Sequence, residues 1–148
     1  MSRLWDKGKP LDEQVLAYTA GEDALFDNRL VGHDVRASIA HAAMLRDQEL
    51  LAATDFAMIA AGLTALAAEH EQGLWRVELA DEDVHTALEQ RLTARIGEAG
   101  GRVHLGRSRN DQVLAALRLW MKDEVAALAA GARAVAAALG EVAVQHAA

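Results

Sequence analysis

Cysteine is absent from the 148 residues. That excludes a disulfide framework, a thiolate nucleophile and a cysteine-ligated metal site. It suits the cytosol, and a cytoplasmic location is the expectation. Proline occurs once, at Pro10, and aromatic residues make up only 4% of the chain. Alanine is the commonest residue and no proline follows position 10. This favours long helices, because alanine has the highest helix propensity and proline the lowest. Collagen-like, proline-rich disordered and strand-rich sandwich classes fit poorly. Basic charge is scarce: 15 Lys and Arg stand against 22 Asp and Glu, a formal net charge of −7. The balance argues against non-specific nucleic-acid binding. No apolar run approaches the roughly 18–20 residues of a membrane span. Residues 1–14 are too polar for a signal peptide. Neither nucleic acid nor membrane is an expected partner.

What remains is a mostly helical chain of about one domain's length, at roughly 100–200 residues per domain. Residues 1–26 lack a clear period. Gly8, Pro10 and Gly21 interrupt them, which predicts an irregular arm with a helical turn around residues 11–17. Asp27 reads as the N-cap of a helix ending near residues 47–49. That helix has a polar stripe, Asp34, Ser38 and His41 below Leu30, and an apolar one, Val31, Val35, Ile39 and residues 42–45. Thr54 and Asp55 open a second helix that Gly73 stops. Asp81, Glu82 and Asp83 open a third, where acids suit the positive end of the dipole. Its apolar stripe is Val84, Leu88, Leu92 and Ile96, and Gly97 ends it. Residues 97–109 are rich in glycine and arginine and read as a functional loop.

From Asn110 the apolar residues Val113, Leu117, Met121, Val125, Leu128, Ala132, Val135, Leu139 and Val142 recur at steps of four and three. This is a coiled-coil-like seam. One helix of about 38 residues would run roughly 57 Å. A compact chain of this size has a radius of gyration of only about 15 Å. The seam therefore needs partner helices, and the lack of a stop signal before Ala148 predicts a chain that ends in mid-helix. The expected fold is all-α. An N-terminal helical domain over 1–109, with a substrate-binding loop at 97–109, leads into the first, truncated helix of a central bundle at 110–148.

Two clusters can carry chemistry. In the run from Gly106 to Gln112, Arg107 and Arg109 offer planar forks for carboxylates. Ser108 and Asn110 add orientable donors beside free helix-start N–H groups. The result is an anion site, and the Walker and G-x-G-x-x-G patterns are missing. The same residues equally suit a capped helix with Ser108 or Asn110 as N-cap and solvated arginines. In the second cluster, His85 lies one turn from Glu89 and one turn after Glu82. Carboxylates there can fix a tautomer and raise basicity. An ordinary surface histidine in an ion-pairing face gives the same pattern. No H-E-x-x-H zinc signature occurs here or around His70. His33, His41, His104 and His146 lack ligand spacing, so no metal is expected. Trp5, Trp75 and Trp120 read as packing anchors.

The run GRSRNDQV at residues 106–113, preceded by EDVHTALE at 82–89 and followed by RLWMKDE from Arg118, resembles the argininosuccinate lyase family of the fumarase/aspartase superfamily. LWDKG at 4–8 and YTAGED at 18–23 are similar too. The resemblance implies a cofactor-free β-elimination that splits argininosuccinate into arginine and fumarate, in a homotetramer whose active sites draw on three subunits. It implies that Ser108, Arg109 and Asn110 bind substrate and that Asp111 and Gln112 fix their loop. It places Asp83, His85 and Thr86 in or beside the site, with His85 supporting the catalytic network rather than acting as base. Many members carry Trp-Gly-Gly-Arg-Phe where this chain has Trp5-Asp6-Lys7-Gly8, and a first-arm serine where it has Thr19-Ala20-Gly21. The family's Thr-His region and its serine-base loop lie beyond Ala148, so the chain alone is expected to be inactive. The other reading is a non-catalytic, lyase-like interaction module.

Overall fold

Val31, Val35, Ala42 and Leu45 recur at helical spacing, and all four fall on one buried face of a single helix. A computed structural model describes residues 21–147 together with Val15 and Tyr18. The predicted turn at 11–17, Trp5 and the first-arm positions Thr19 and Ala20 lie outside the described residues. Among the described residues there are five α-helices and no strand: α1 Asp23–Asp27, α2 Val31–Asp47, α3 Ala53–Glu71, α4 Val84–Ile96 and α5 Arg109–His146. The all-α reading holds.

The core is a three-helix contact. Ile59, Leu63 and Leu66 of α3 and Val84, Leu88 and Leu92 of α4 close on the apolar stripe of α2. Gly62 lets α3 and α4 approach: a Cβ there would sit 2.6 Å from Leu92 Cδ1. Gly73, at φ 74°, and Gly97, at φ 71°, follow α3 and α4 in conformations that favour glycine. Trp75 packs against the core and donates its indole N–H to the Leu66 carbonyl at 2.9 Å. The Arg91 guanidinium lies 4.5 Å above its ring.

Two local expectations are corrected. Asp27 is not the N-cap of α2; Leu30 holds that place, and Asp27 closes α1. Its carboxylate instead accepts from the Val84 N–H at 2.9 Å, where α4 begins. A helix-start N–H in a partly buried place needs an acceptor, and Asp27 reaches it from another element. Nor is the stretch after Ile96 wholly irregular. Residues Gly97–Arg102 form 3₁₀ turns folded back on α4, with Ala99, Gly100 and Val103 buried.

The first four turns of α5 dock on α2. Ala116 and Gln112 are buried there, and Arg36 and His33 meet Asp123 at 2.8 and 3.2 Å. Arg29 reaches Glu124 at 3.4 Å and lies over the Trp120 ring. Every later described residue of α5 is exposed, including Val125 at 63% and Leu128 at 75%. This helix is also long and apolar enough, by length and composition, to cross a membrane. The absence of a long apolar run read from the sequence is corrected to that extent, because alanines between the few charges keep the average high.

Gly100 is a close approach of backbone to backbone: a Cβ would meet the Thr93 N and Cα at 2.7 Å, atoms that cannot swing away as the Leu92 side chain at Gly62 can. Gly100→Ala is expected to lower the unfolding free energy by about 1–3 kcal/mol, the cost of overpacking. Gly101→Ala, whose Cβ meets nothing within 4 Å, is the matched control. Urea melts of both variants measure the difference.

Candidate substrate-binding site

The site is built where α4 and α5 begin. Asp83 is the N-cap of α4, and its carboxylate accepts from the Thr86 N–H at 2.8 Å. Ser108 is the N-cap of α5. The Asp111 carboxylate accepts from both the Ser108 N–H, at 2.8 Å, and its hydroxyl, at 2.9 Å. This settles the choice between Ser108 and Asn110 as cap. Those two donors, the backbone N–H first, hold the Asp111 carboxyl below its ordinary pKa.

Arg109 ties the two helix starts together. Its Nε donates to Asp83, Nη2 donates to the Thr86 hydroxyl at 2.9 Å, and Nη1 lies 3.5 Å from Glu82. Burial pushes the Asp83 carboxyl up, but the Arg109 hydrogen bond and the Thr86 N–H outweigh it, and its pKa falls. Asp83 likewise raises the pKa of Arg109. Asp27, at the same junction, is shifted the other way, because burial exceeds the help of the Val84 N–H.

His85 does not pair with Glu82 or Glu89. It is buried, and its Nδ1 meets Asp34 Oδ2 of α2 at 3.0 Å. The surface reading fails because Val84, Ala87 and Leu88 carry this face of α4 into the core, taking His85 with them. Glu89 instead lies 3.2 Å from His104 Nδ1. On the far side of Asp34, Ser38 donates to Oδ1 at 3.3 Å, and Arg107 Nη2 donates to Ser38 Oγ at 2.8 Å. Burial lowers the pKa of Arg107, against the pull of Asp34. His41 meets the Leu105 carbonyl at 2.8 Å.

The structure thus brings Asp83, Thr86 and Arg109 together, joins Ser108 to Asp111, and buries Gln112. Ser108 and Asn110 lie exposed at the start of α5, where free N–H groups and the dipole favour an anion. Asp34, Ser38 and His41 are the supporting residues that site reasoning from the sequence missed. Their signal was the polar stripe on an otherwise core-facing helix. No group of three or more His, Cys, Asp or Glu among the described residues is arranged to hold a metal.

An all-helical chain whose glycine-arginine loop feeds the capped start of a long helix, with acid and threonine of another helix start strapped to it, defines a class. The chain belongs to the lyase family: a family model described as "Lyase" matches residues 10–148. More particularly, it is similar to argininosuccinate lyases. It is 46% identical over 141 residues to that of Sorangium cellulosum (strain So ce56), covering 95% of this chain and 33% of the relative. It is 43% identical over 123 residues to that of Thermotoga neapolitana, covering 83% of this chain and 31% of the relative. With the Bordetella pertussis protein the identity is 43% over 140 residues, 95% of this chain and 29% of the relative. The chain spans about a third of the length of the curated relatives it matches.

Asp83→Asn keeps an N-capping side chain but removes the charge that Arg109 grips. The variant is expected to be destabilised at pH 7 by up to about 1 kcal/mol, as for a partly exposed ion pair. The sign follows from the lowered pKa: the contribution is full above the unfolded value of about 3.9 and is lost as pH falls through the folded one. Urea melts of parent and variant should therefore differ at pH 7 and converge in strong acid.

Proposed function

We propose that this chain forms the substrate-binding part of an argininosuccinate lyase, which releases fumarate and arginine by β-elimination without a cofactor. The observation that carries the reading is the Gly106–Val113 run set at the exposed start of α5, in a chain 46% identical to one such lyase over 141 residues. Ser108, Asn110 and the helix-start N–H groups hold substrate carboxylates. Arg109, strapped to Asp83 and Thr86, sets their direction, and Asp111 and Gln112 fix the turn. His85 supports the network from behind. The base that removes the carbon-bound proton comes from outside these residues, so this chain alone does not turn over. General acid–base catalysis is worth about 10²–10⁴-fold, which its loss would forfeit. The working enzyme is a cytoplasmic homotetramer, with the exposed seam of α5 packed against other helices of the bundle. The same seam favours a second reading, a non-catalytic subunit that binds through it.

A chimera tests this. Residues 10–148 replace the matching segment of the Sorangium cellulosum relative, and fumarate release is assayed with argininosuccinate and with adenylosuccinate. The chimera should release fumarate from argininosuccinate, and the 148-residue chain should release none. Arg109→Ala in the chimera should lower kcat/KM by about 10–10²-fold, the worth of a hydrogen bond to a charged group. A folded but inactive chimera favours the interaction module. Turnover of adenylosuccinate alone reassigns the substrate.

A further inference from the structure

We propose that Asp34 is a positioning residue of this site: one carboxylate oxygen sets the His85 ring and the other, through Ser38, sets the turn that carries Ser108. The assignment rests on the lyase reading above. Asp34 is 1% exposed and sits on α2, behind the start of α5. A carboxylate buried to that degree is costly unless its lone pairs are filled. Its partners are not random core groups. Oδ2 meets His85 Nδ1 at 3.0 Å and Oδ1 accepts from Ser38 Oγ at 3.3 Å. Ser38 Oγ in turn accepts from Arg107 Nη2 at 2.8 Å, one residue before the α5 N-cap.

Each link has a directional consequence. A carboxylate only accepts, so the proton of the His85–Asp34 bond lies on Nδ1. In a neutral ring that leaves Nε2 as the acceptor, and the tautomer of a histidine is set in this way by its other hydrogen bond. Ser38 has one proton, given to Asp34, and its lone pairs are what Arg107 finds. Removing Asp34 frees that hydroxyl proton and weakens the reason for Arg107 to stay. His41, a turn beyond Ser38 on α2, holds the Leu105 carbonyl at 2.8 Å. Residues 105–107 are therefore pinned to α2 at two points, and Ser108 starts its helix from that fixed turn.

The test has two arms. In the 148-residue chain, imidazole nitrogen NMR with labelled histidine reads which His85 nitrogen carries the proton. In the chimera, kcat and KM for argininosuccinate are measured for Asp34→Ala, Asp34→Asn and Ser38→Ala. Expected are a protonated Nδ1 in the parent and in Asp34→Asn, which keeps an acceptor, and its loss in Asp34→Ala. Asp34→Ala should lower kcat by about 10²-fold, at the low end of general acid–base effects, and Asp34→Asn should recover most of it. Ser38→Ala should raise KM several-fold with kcat near that of the parent. An unprotonated Nδ1 in the parent overturns the assignment. So does parental kcat in Asp34→Ala, or a kcat in Asp34→Asn no better than in Asp34→Ala, which would mark Asp34 as packing only. If Asp34→Ala does not fold, an unchanged KM in Ser38→Ala overturns the link to the turn. An inactive parent chimera overturns the lyase reading instead, while the protonation of His85 and its response to Asp34→Ala still decide whether Asp34 sets the ring.

Discussion

A carboxylate that is 1% exposed at the junction of α2 and α4 must take its hydrogen bonds from whatever faces it. Asp34 takes them from His85 and Ser38, and the order of the site follows from that requirement. The apolar side of α2 is committed to α3 and α4 through Val31, Val35, Ala42 and Leu45, so the helix cannot rotate to expose Asp34 without opening the core. Its polar side, Asp34, Ser38 and His41, then becomes a fixed rail. One rail position holds a ring on α4, the next holds Arg107, and the third holds the Leu105 carbonyl. The core and the site are thus held by two faces of one helix.

Helix α5 answers to two different environments. Its first four turns lie on α2, where Gln112 and Ala116 are buried and Arg36 and Arg29 reach Asp123 and Glu124. Exposed pairs of this kind contribute little to stability. They choose the direction of the helix more than they hold it. The Arg36 hydrogen bond, helped by the one from His33, outweighs desolvation and keeps the Asp123 carboxyl below its ordinary pKa. Beyond Glu124 the apolar residues at steps of three and four face solvent. Ridges at that spacing pack against neighbouring helices at a shallow crossing angle of about 20°. A strip of this length, unlike a scattered leucine, is too much apolar surface for an isolated helix to leave uncovered.

Much of this was legible in the sequence, where the physics is local. Glycines 73 and 97 ended helices because a left-handed residue closes a helix whatever surrounds it. The helix starts at residues 81–83 and at Ser108 or Asn110 were readable because capping needs only the next three residues, and the structure chose Asp83 and Ser108. The long helix followed from its apolar period. Partner choice was not legible. His85 has acids one turn away on its own helix, yet its partner is 51 residues distant. Asp27 looked like a cap for the helix it precedes and serves one that starts 57 residues later. Spacing along a chain ranks neighbours on one helix, and burial decides between them and a group on another. The stripe of Asp34, Ser38 and His41 was visible, but its meaning depended on which helix lay opposite. Within residues 18–23, Thr19 and Ala20 lie outside the described residues.

Arg109 shows how that distinction bears on function. The resemblance gives it a substrate contact along with Ser108 and Asn110, and a guanidinium beside a helix start invites that role. In the structure two of its three nitrogens already donate, to Asp83 and Thr86, and the third lies 3.5 Å from Glu82. A guanidinium has five N–H donors, so capacity remains, but its plane and direction are set by α4. A carboxylate arriving at α5 therefore meets Asn110 and the helix-start N–H groups first, Ser108 as a hydroxyl whose proton is already given to Asp111, and Arg109 as a charge already turned toward protein. Such an arginine contributes through its position: its one positive charge offsets part of the charge of the two acids beside it, Asp83 and Glu82, and it ties two helix starts together. Asp83 and Thr86 matter to this junction as the acceptors that hold the strap.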